Sequence, residues 1–159
     1  MRNSFIAFAV IILALVRVAD VHARQSKPSA DAHAIDSAHL INPEDLAKLL
    51  QSPKAEKPLV LMVGFRVLYA QGHIPGAEYI GPGSEERGIQ ALRKRVEALP
   101  RKKSIVIYCG CCPWVHCPNV EPAYKELQKA GFSNVKVLYI ANNFGADWIA
   151  KGYPVEKGQ

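Results

Sequence analysis

The chain has 159 residues, a formal net charge of +6 and a hydrophobic fraction of 49%. This length and composition predict one globular domain with a core of useful size, and they argue against several domains. The mildly basic balance suits anionic small molecules or surfaces. Two basic clusters, RKR (93–95) and RKK (101–103), flank a predicted helix without interleaved aromatic residues, so we expect a solvated helix face and no nucleic-acid partner.

Residues 1–23 have the pattern of a secretory signal peptide. Arg2 supplies the positive start, residues 5–16 (FIAFAVIILALV) carry no charge, and Val21 and Ala23 occupy the −3 and −1 positions of a cleavage site. Because the apolar run is shorter than a membrane span of about 20 residues, we expect cleavage and no stable span afterwards, with an uncleaved anchor as the alternative. The protein would then be secreted across the inner membrane, into the periplasm of a Gram-negative bacterium.

Residues 24–36 (RQSKPSADAHAID) are small and polar and predict a flexible linker, which leaves residues 37–159 as the folded domain. In that domain, helical periodicity alternates with continuous apolar runs that are typical of strands buried on both faces. Asn42 and Pro43 mark the first helix as its cap and its first helical residue. The predicted elements are, in chain order, a helix (42–50), a strand (58–65), a short strand (77–80), a turn (81–84), a helix (85–99), a strand (104–109), a helix (121–131), a strand (134–140) and a short helix (145–152).

This order predicts an α/β fold: a doubly wound parallel β-sheet of about five strands with helices on both faces. Ligands of such sheets bind beyond the carboxyl ends of the strands. All four cysteines of the chain lie at one such end, in the stretch YCGCCPWVHCPN (108–119) between a predicted strand and a predicted helix. The stretch is compatible with a catalytic thiol, a redox dithiol, structural disulfides or a metal site.

Several motifs in order resemble the rhodanese-like (sulfurtransferase) family. They are GHIPGA (72–77), SIVIYC (104–109) with a following loop and a helix that ends in GF (131–132), and NVKVLYI (134–140) with DWIAKGYPV (147–155). The resemblance extends from about Ile41 to Val155 and implies a single rhodanese-like domain without an organic cofactor. It also implies transfer of a sulfane sulfur, through a cysteine persulfide, from a small anionic donor such as thiosulfate to cyanide, a thiol or an acceptor protein. Cys109 matches the persulfide-forming cysteine.

The residues around Cys109 depart from the family pattern. Met62 and Gly64 occupy positions where members commonly carry an aspartate and an arginine, and Arg66 is a nearby substitute. The loop after Cys109 is also extended by roughly five residues relative to the family. Phosphatase relatives use a loop arginine that holds phosphoryl oxygens, and the sequence has no arginine after Arg101, so phosphatase chemistry is not expected.

Cys109 is the predicted nucleophile, and we expect backbone N–H groups and the following helix terminus to lower its pKa. Cys112 is the predicted resolving thiol, because it forms a C-x-x-C pair with Cys109. The remaining loop residues are predicted to shape the substrate pocket: Gly110, Cys111, Pro113, Trp114, Val115, His116, Cys117 and Asn119.

The sequence leaves other interpretations of the loop open. A Cys112–Cys117 disulfide would stiffen the insertion and leave Cys109 free. Thiolates with His116 suit soft metals, but closed zinc sites usually draw ligands from two separated pairs, so no metal is predicted. A binding module without catalytic activity, which uses the loop for a metal or a partner protein, is the rival class. Outside the loop, His73 is expected to hold a turn.

Overall fold

The computed structural model describes residues 34–158, so the predicted signal peptide and most of the predicted linker lie outside the described residues. The end of the predicted linker belongs to the fold. Ile35 is 2% exposed and packs in the core. Asp36 caps a 3-10 turn (Ser37–His39), with its side chain accepting a hydrogen bond from the backbone N–H of Ala38 at 2.7 Å.

Five parallel strands form the sheet, as predicted. They are β1 (Leu40–Ile41), β2 (Leu59–Met62), β3 (Glu78–Tyr79), β4 (Ile105–Tyr108) and β5 (Val135–Leu138). Their spatial order is β1-β5-β4-β2-β3, which is the doubly wound arrangement. The central strand β4 pairs with β2 on one side and with β5 on the other.

Helices cover both faces of the sheet, which confirms the predicted fold class. They are α1 (Pro43–Gln51), α2 (Arg66–Gln71), α3 (Glu86–Val96), α4 (Val120–Lys129) and α5 (Phe144–Asp147). One core lies between the sheet and the α3–α4 pair, and the other lies under α1, α2 and α5. Along β4, Ile105 and Ile107 enter the first core while Val106 and Tyr108 enter the second. This alternation explains why the strand is continuously apolar.

Two short elements were missed by the sequence patterns. β1 has two residues and α2 has six, so each is too short for the alternation of a strand or the periodicity of a helix to be recognised. The strand predicted over residues 58–65 ends at Met62, and α2 begins at Arg66. Among residues 34–158, no helix is both long and apolar enough to cross a membrane.

Candidate functional site

The carboxyl end of β4 delivers Cys109 to the edge of the sheet. Tyr108 is the last residue of β4, and its carbonyl accepts a hydrogen bond from the backbone N–H of Val63 at 2.8 Å. Cys109 is 2% exposed. A Cβ added at Gly64 would lie 3.1 Å from Cys109 Sγ and 3.0 Å from its carbonyl oxygen. Gly64, one of the departures from the family pattern, therefore lets the backbone after β2 lie closely over the sulfur of Cys109.

Three contacts hold the extended loop against the end of the sheet. Gly110 has φ +79°, a left-handed conformation that favours glycine, and its carbonyl accepts a hydrogen bond from the Phe144 N–H at 3.1 Å. Trp114 is 3% exposed and its ring lies 5.3 Å from the ring of Tyr139. The backbone N–H of Trp114 donates to the carbonyl of Ala141 at 3.2 Å. The loop thus packs on the domain, and Trp114 belongs to the core rather than to an open pocket wall.

The loop gathers its sulfur atoms. Cys109 Sγ lies 3.2 Å from Cys111 Sγ, which lies 2.9 Å from Cys112 Sγ. The Sγ atoms of Cys109, Cys111 and Cys117 all lie within 4.8 Å of one another. All four cysteines are free thiols in the structure. The thiol that accepts a hydrogen bond from Cys109 is that of Cys111, whereas the predicted resolving residue Cys112 contacts Cys111 and, at 3.6 Å, the carbonyl of His116.

Asn119 is a polar contact of Cys109 that sequence reasoning placed in the loop without a specific role. Its side chain is fully buried just before α4, and Nδ2 donates to Cys109 Sγ at 3.2 Å. Its Oδ1 accepts from both the N–H and the hydroxyl of Ser84, at 3.1 and 2.8 Å. Because Oδ1 is held in this way, Nδ2 faces the sulfur.

The expectation that the pKa of Cys109 is lowered is wrong. The hydrogen bond that Cys109 donates to Cys111, its contact with Cys117 and its burial all raise the pKa of Cys109. Interaction with Cys109 lowers the pKa of Cys111 to about 6 and that of Cys117 to about 7. Burial, with the bond to Cys111, raises the pKa of Cys112. The directions of these shifts favour a protonated Cys109 beside a Cys111 thiolate at neutral pH.

A cavity of about 290 Å³ opens beside the loop at the carboxyl end of the sheet. Cys111 and Gly110 line it from the loop, and Met62, Phe144 and Ile149 line it from the domain. Cys109 is not among its lining residues, so Cys111 is the cysteine next to this cavity. The residues that form the outer side of the loop are exposed to solvent: Pro113, Val115 and His116.

His73 and Arg66, which the sequence also singled out, both contact aromatic rings of the domain. His73 is 5% exposed, its Nδ1 lies 2.8 Å from the Tyr69 carbonyl, and its ring stacks on the Tyr69 ring at 3.8 Å. Arg66 places its guanidinium over the ring of Tyr79, 4.5 Å from the centroid. The expected structural role of His73 agrees with this packing, and Arg66 is engaged with an aromatic ring.

A five-stranded parallel sheet whose central strand ends at a cysteine, ahead of a loop and a helix, is the architecture of a rhodanese-like domain. The model of the rhodanese-like domain family matches residues 42–139, and the chain belongs to that family. No protein with a curated description matches the chain.

Solved structures agree with this assignment. The rhodanese-like domain of a protein from Anabaena is 24% identical, with a TM-score of 0.55 over 75% of this chain and 79% of its own. A protein from Bacillus halodurans is 23% identical, with a TM-score of 0.57 over 75% of this chain and 77% of its own. Both support the fold. Thiosulfate sulfurtransferase from Pseudomonas aeruginosa is 27% identical, with a TM-score of 0.54, and the match covers 75% of this chain but 19% of that protein.

Proposed function

We propose that this protein is a sulfurtransferase that takes a sulfane sulfur from a small anionic donor such as thiosulfate and carries it as a persulfide on Cys109. The observation that supports the proposal most directly is the 3.2 Å contact between the Sγ atoms of Cys109, at the end of β4, and of Cys111, a residue that lines the adjacent cavity. Membership of the rhodanese-like family and the likeness to a thiosulfate sulfurtransferase support the same chemistry.

Cys111 is the first acceptor in this mechanism. Its pKa of about 6 favours the thiolate at neutral pH, and the residue lines the cavity and is only half-buried, whereas Cys109 is 2% exposed. Attack of Cys111 Sγ on the outer sulfur of thiosulfate forms a new S–S bond and breaks the S–S bond of the donor. Sulfite leaves with the electron pair, and a Cys111 persulfide anion remains.

Cys109 receives the sulfur next. As Cys109 Sγ bonds to the terminal sulfur, the S–S bond to Cys111 breaks and the proton of Cys109 ends on Cys111. The amide Nδ2 of Asn119, 3.2 Å from Cys109 Sγ, donates to the group that has become anionic. Cyanide or an acceptor thiolate then removes the terminal sulfur, and the proton returns to Cys109.

Export is the second part of the proposal. Residues 1–23 have the charge and hydropathy pattern of a signal peptide, and Ala23 precedes the expected cleavage. Because thiols outside the cytosol tend to oxidise, a carrier cysteine that is buried and covered by its loop suits that environment.

A dithiol–disulfide role of Cys109 and Cys111 is the second candidate function, favoured by the same sulfur contact. The two functions predict different changes in the mass of the protein. A sulfur carrier gains one sulfur atom from thiosulfate, whereas a dithiol that reduces a substrate loses two hydrogens as its disulfide forms.

Intact mass spectrometry tests the proposal on the full chain expressed in a Gram-negative host. We expect protein from the periplasmic fraction to start at Arg24 and to gain one sulfur atom after anaerobic treatment with thiosulfate. Added cyanide should remove that sulfur as thiocyanate. In Cys109→Ser the sulfur should stop at Cys111, with thiocyanate formation reduced at least about 100-fold.

The other loop cysteines provide the comparison. Cys111→Ser should prevent loading of Cys109 by the donor. If activity falls as far in Cys112→Ser as in Cys111→Ser, the C-x-x-C pair would be favoured instead. Full activity in Cys109→Ser would sink the assignment of the carrier, and cytoplasmic protein that retains residues 1–23 would contradict export.

A further inference from the structure

We propose that Cys109, Cys111 and Cys117 form a binding site for one soft monovalent metal ion, Cu(I). Their Sγ atoms all lie within 4.8 Å of one another. A metal–thiolate bond of about 2.3 Å, the length found in zinc sites, places the three sulfurs of a trigonal site about 4.0 Å apart. The Cys109–Cys111 distance of 3.2 Å therefore needs to widen by less than an ångström.

The three ligands come from positions that the fold already holds. Cys109 follows the buried central strand β4, and Cys117 caps the end of a second 3-10 turn (Trp114–His116), which the buried Trp114 anchors in the core. Cys111 is placed by the left-handed conformation of Gly110. Only small side-chain rotations are thus needed to make the ligand set converge, which favours tight binding because little conformational entropy is lost.

The surroundings are those of a soft, low-coordinate ion. Cys109 and Cys117 are 2% and 5% exposed and belong to an apolar core cluster that also contains Trp114. The buried amide of Asn119 donates to Cys109 Sγ at 3.2 Å and acts as an outer partner that orients this ligand.

The donor set distinguishes Cu(I) from zinc. Structural zinc sites are almost always tetrahedral with four ligands. In the part of the chain that the structure describes, the candidate group contains three sulfurs and no histidine or carboxylate. Thiolates bind both Cu(I) and Zn(II), so the number of ligands, rather than their softness, separates the two ions. Three sulfurs alone therefore fit Cu(I) better than Zn(II).

Metal binding would exclude sulfur transfer, because both use the sulfurs of Cys109 and Cys111. A Cu(I)-bound chain should not acquire sulfur from thiosulfate until a chelator removes the metal. The metal site itself does not rest on the proposed sulfurtransferase activity. A protein that binds Cu(I) but forms no persulfide would contradict only that activity, and the reverse result would contradict only the metal site.

The test is anaerobic titration of the reduced mature protein with Cu(I) in competition with a chromophoric Cu(I) chelator, with Zn(II) titrated in parallel. We expect one Cu(I) per chain, all-sulfur ligation by X-ray absorption, and weaker binding of Zn(II). Cys111→Ser and Cys117→Ser should each weaken Cu(I) binding by more than about 100-fold, beyond the 10–100-fold typical for loss of an outer-shell partner.

Cys112→Ser is the matched control, since it changes an adjacent thiol outside the triad and should keep the Cu(I) affinity of the native chain. Circular dichroism verifies that each variant is folded; if Cys117→Ser is not, the half-buried Cys111 still provides the test. The proposal is overturned if Cys111→Ser binds Cu(I) as tightly as the native chain. It is also overturned if Cys112→Ser weakens binding equally, or if Zn(II) binds more tightly than Cu(I).

Discussion

At the scale of single residues, the loop divides two properties that one catalytic cysteine usually combines. Cys109 has the position at the strand end, but its burial and its hydrogen bonds keep it protonated. Cys111 has the low pKa and the access to the cavity. A thiolate that reacts at the surface and a buried thiol that stores the product are therefore adjacent but distinct.

The pH dependence of thiol alkylation tests this division. We expect the rate of iodoacetamide modification of Cys111, located by peptide mapping, to rise with pH and reach half of its maximum near pH 6. The rate rises with pH because only the thiolate reacts, and the fraction of Cys111 that is thiolate increases as the pH rises through the pKa and then levels off. Cys109 should stay unmodified over the same range. A midpoint near the ordinary value of about 8.5 would contradict the shared hydrogen bonds.

The sequence could identify Cys109 but could not identify its partner. Four apolar residues before Cys109 and a helix pattern after the loop place it at the edge of the sheet. The C-x-x-C spacing then suggested Cys112, because spacing alone does not specify how the chain turns. The left-handed conformation of Gly110 and the anchoring of Trp114 place the sulfur of Cys111 at 3.2 Å instead. Such turns depend on tertiary packing, which no local pattern encodes.

At the scale of elements, the site depends on the turn between β3 and α3 as well as on the cysteine loop. Gly83 donates its N–H to the carbonyl of Val63 at 3.0 Å, and Ser84 holds the side chain of Asn119. The turn thus connects the end of β2 to the start of α4. Long, strongly apolar strands were predictable from sequence, whereas this contact between two loops was not, because it joins residues that are distant in the chain.

Replacement of Gly83 by alanine should disturb the site through the backbone. The added Cβ would lie 2.1 Å from the carbonyl oxygen of Asn119, so either the turn or the start of α4 must move. We expect a loss of about 1–3 kcal/mol in the free energy of unfolding, the usual range for overpacking. We also expect a changed alkylation rate of Cys111. Movement of Asn119 would alter the hydrogen bond that its side chain donates to Cys109, and Cys109 in turn contacts Cys111.

Gly76→Ala is the control for this substitution. Gly76 has φ +73°, and no atom lies within 4 Å of an added Cβ. Alanine there should cost about 1–2 kcal/mol of left-handed strain and leave the alkylation rate of Cys111 unchanged. Equal effects of both variants on that rate would show that Gly83 acts only through global stability.

At the scale of the whole molecule, one sheet separates two cores and supports the loop at its end. Trp148 is fully buried in the core under α1, α2 and α5, and its indole N–H donates to the carbonyl of Pro154 at 2.8 Å. Trp114 packs in the opposite core, beside the cysteines. These are the two tryptophans of the chain, so each core contains one tryptophan.

Trp148→Ala tests whether the loop and the two cores unfold as one unit. The substitution leaves a cavity and an unpaired carbonyl, and we expect it to lower the free energy of unfolding by about 3–5 kcal/mol. Emission from the remaining Trp114 then reports the loop, while far-UV circular dichroism reports the sheet. Because Trp114 packs on Tyr139 at the end of β5, both signals should change at the same denaturant concentration. Loss of the Trp114 signal at a lower denaturant concentration would instead mean that the cysteine loop opens before the domain unfolds. The burial of Cys109 would then depend on a local opening equilibrium of the loop rather than on the global stability of the domain.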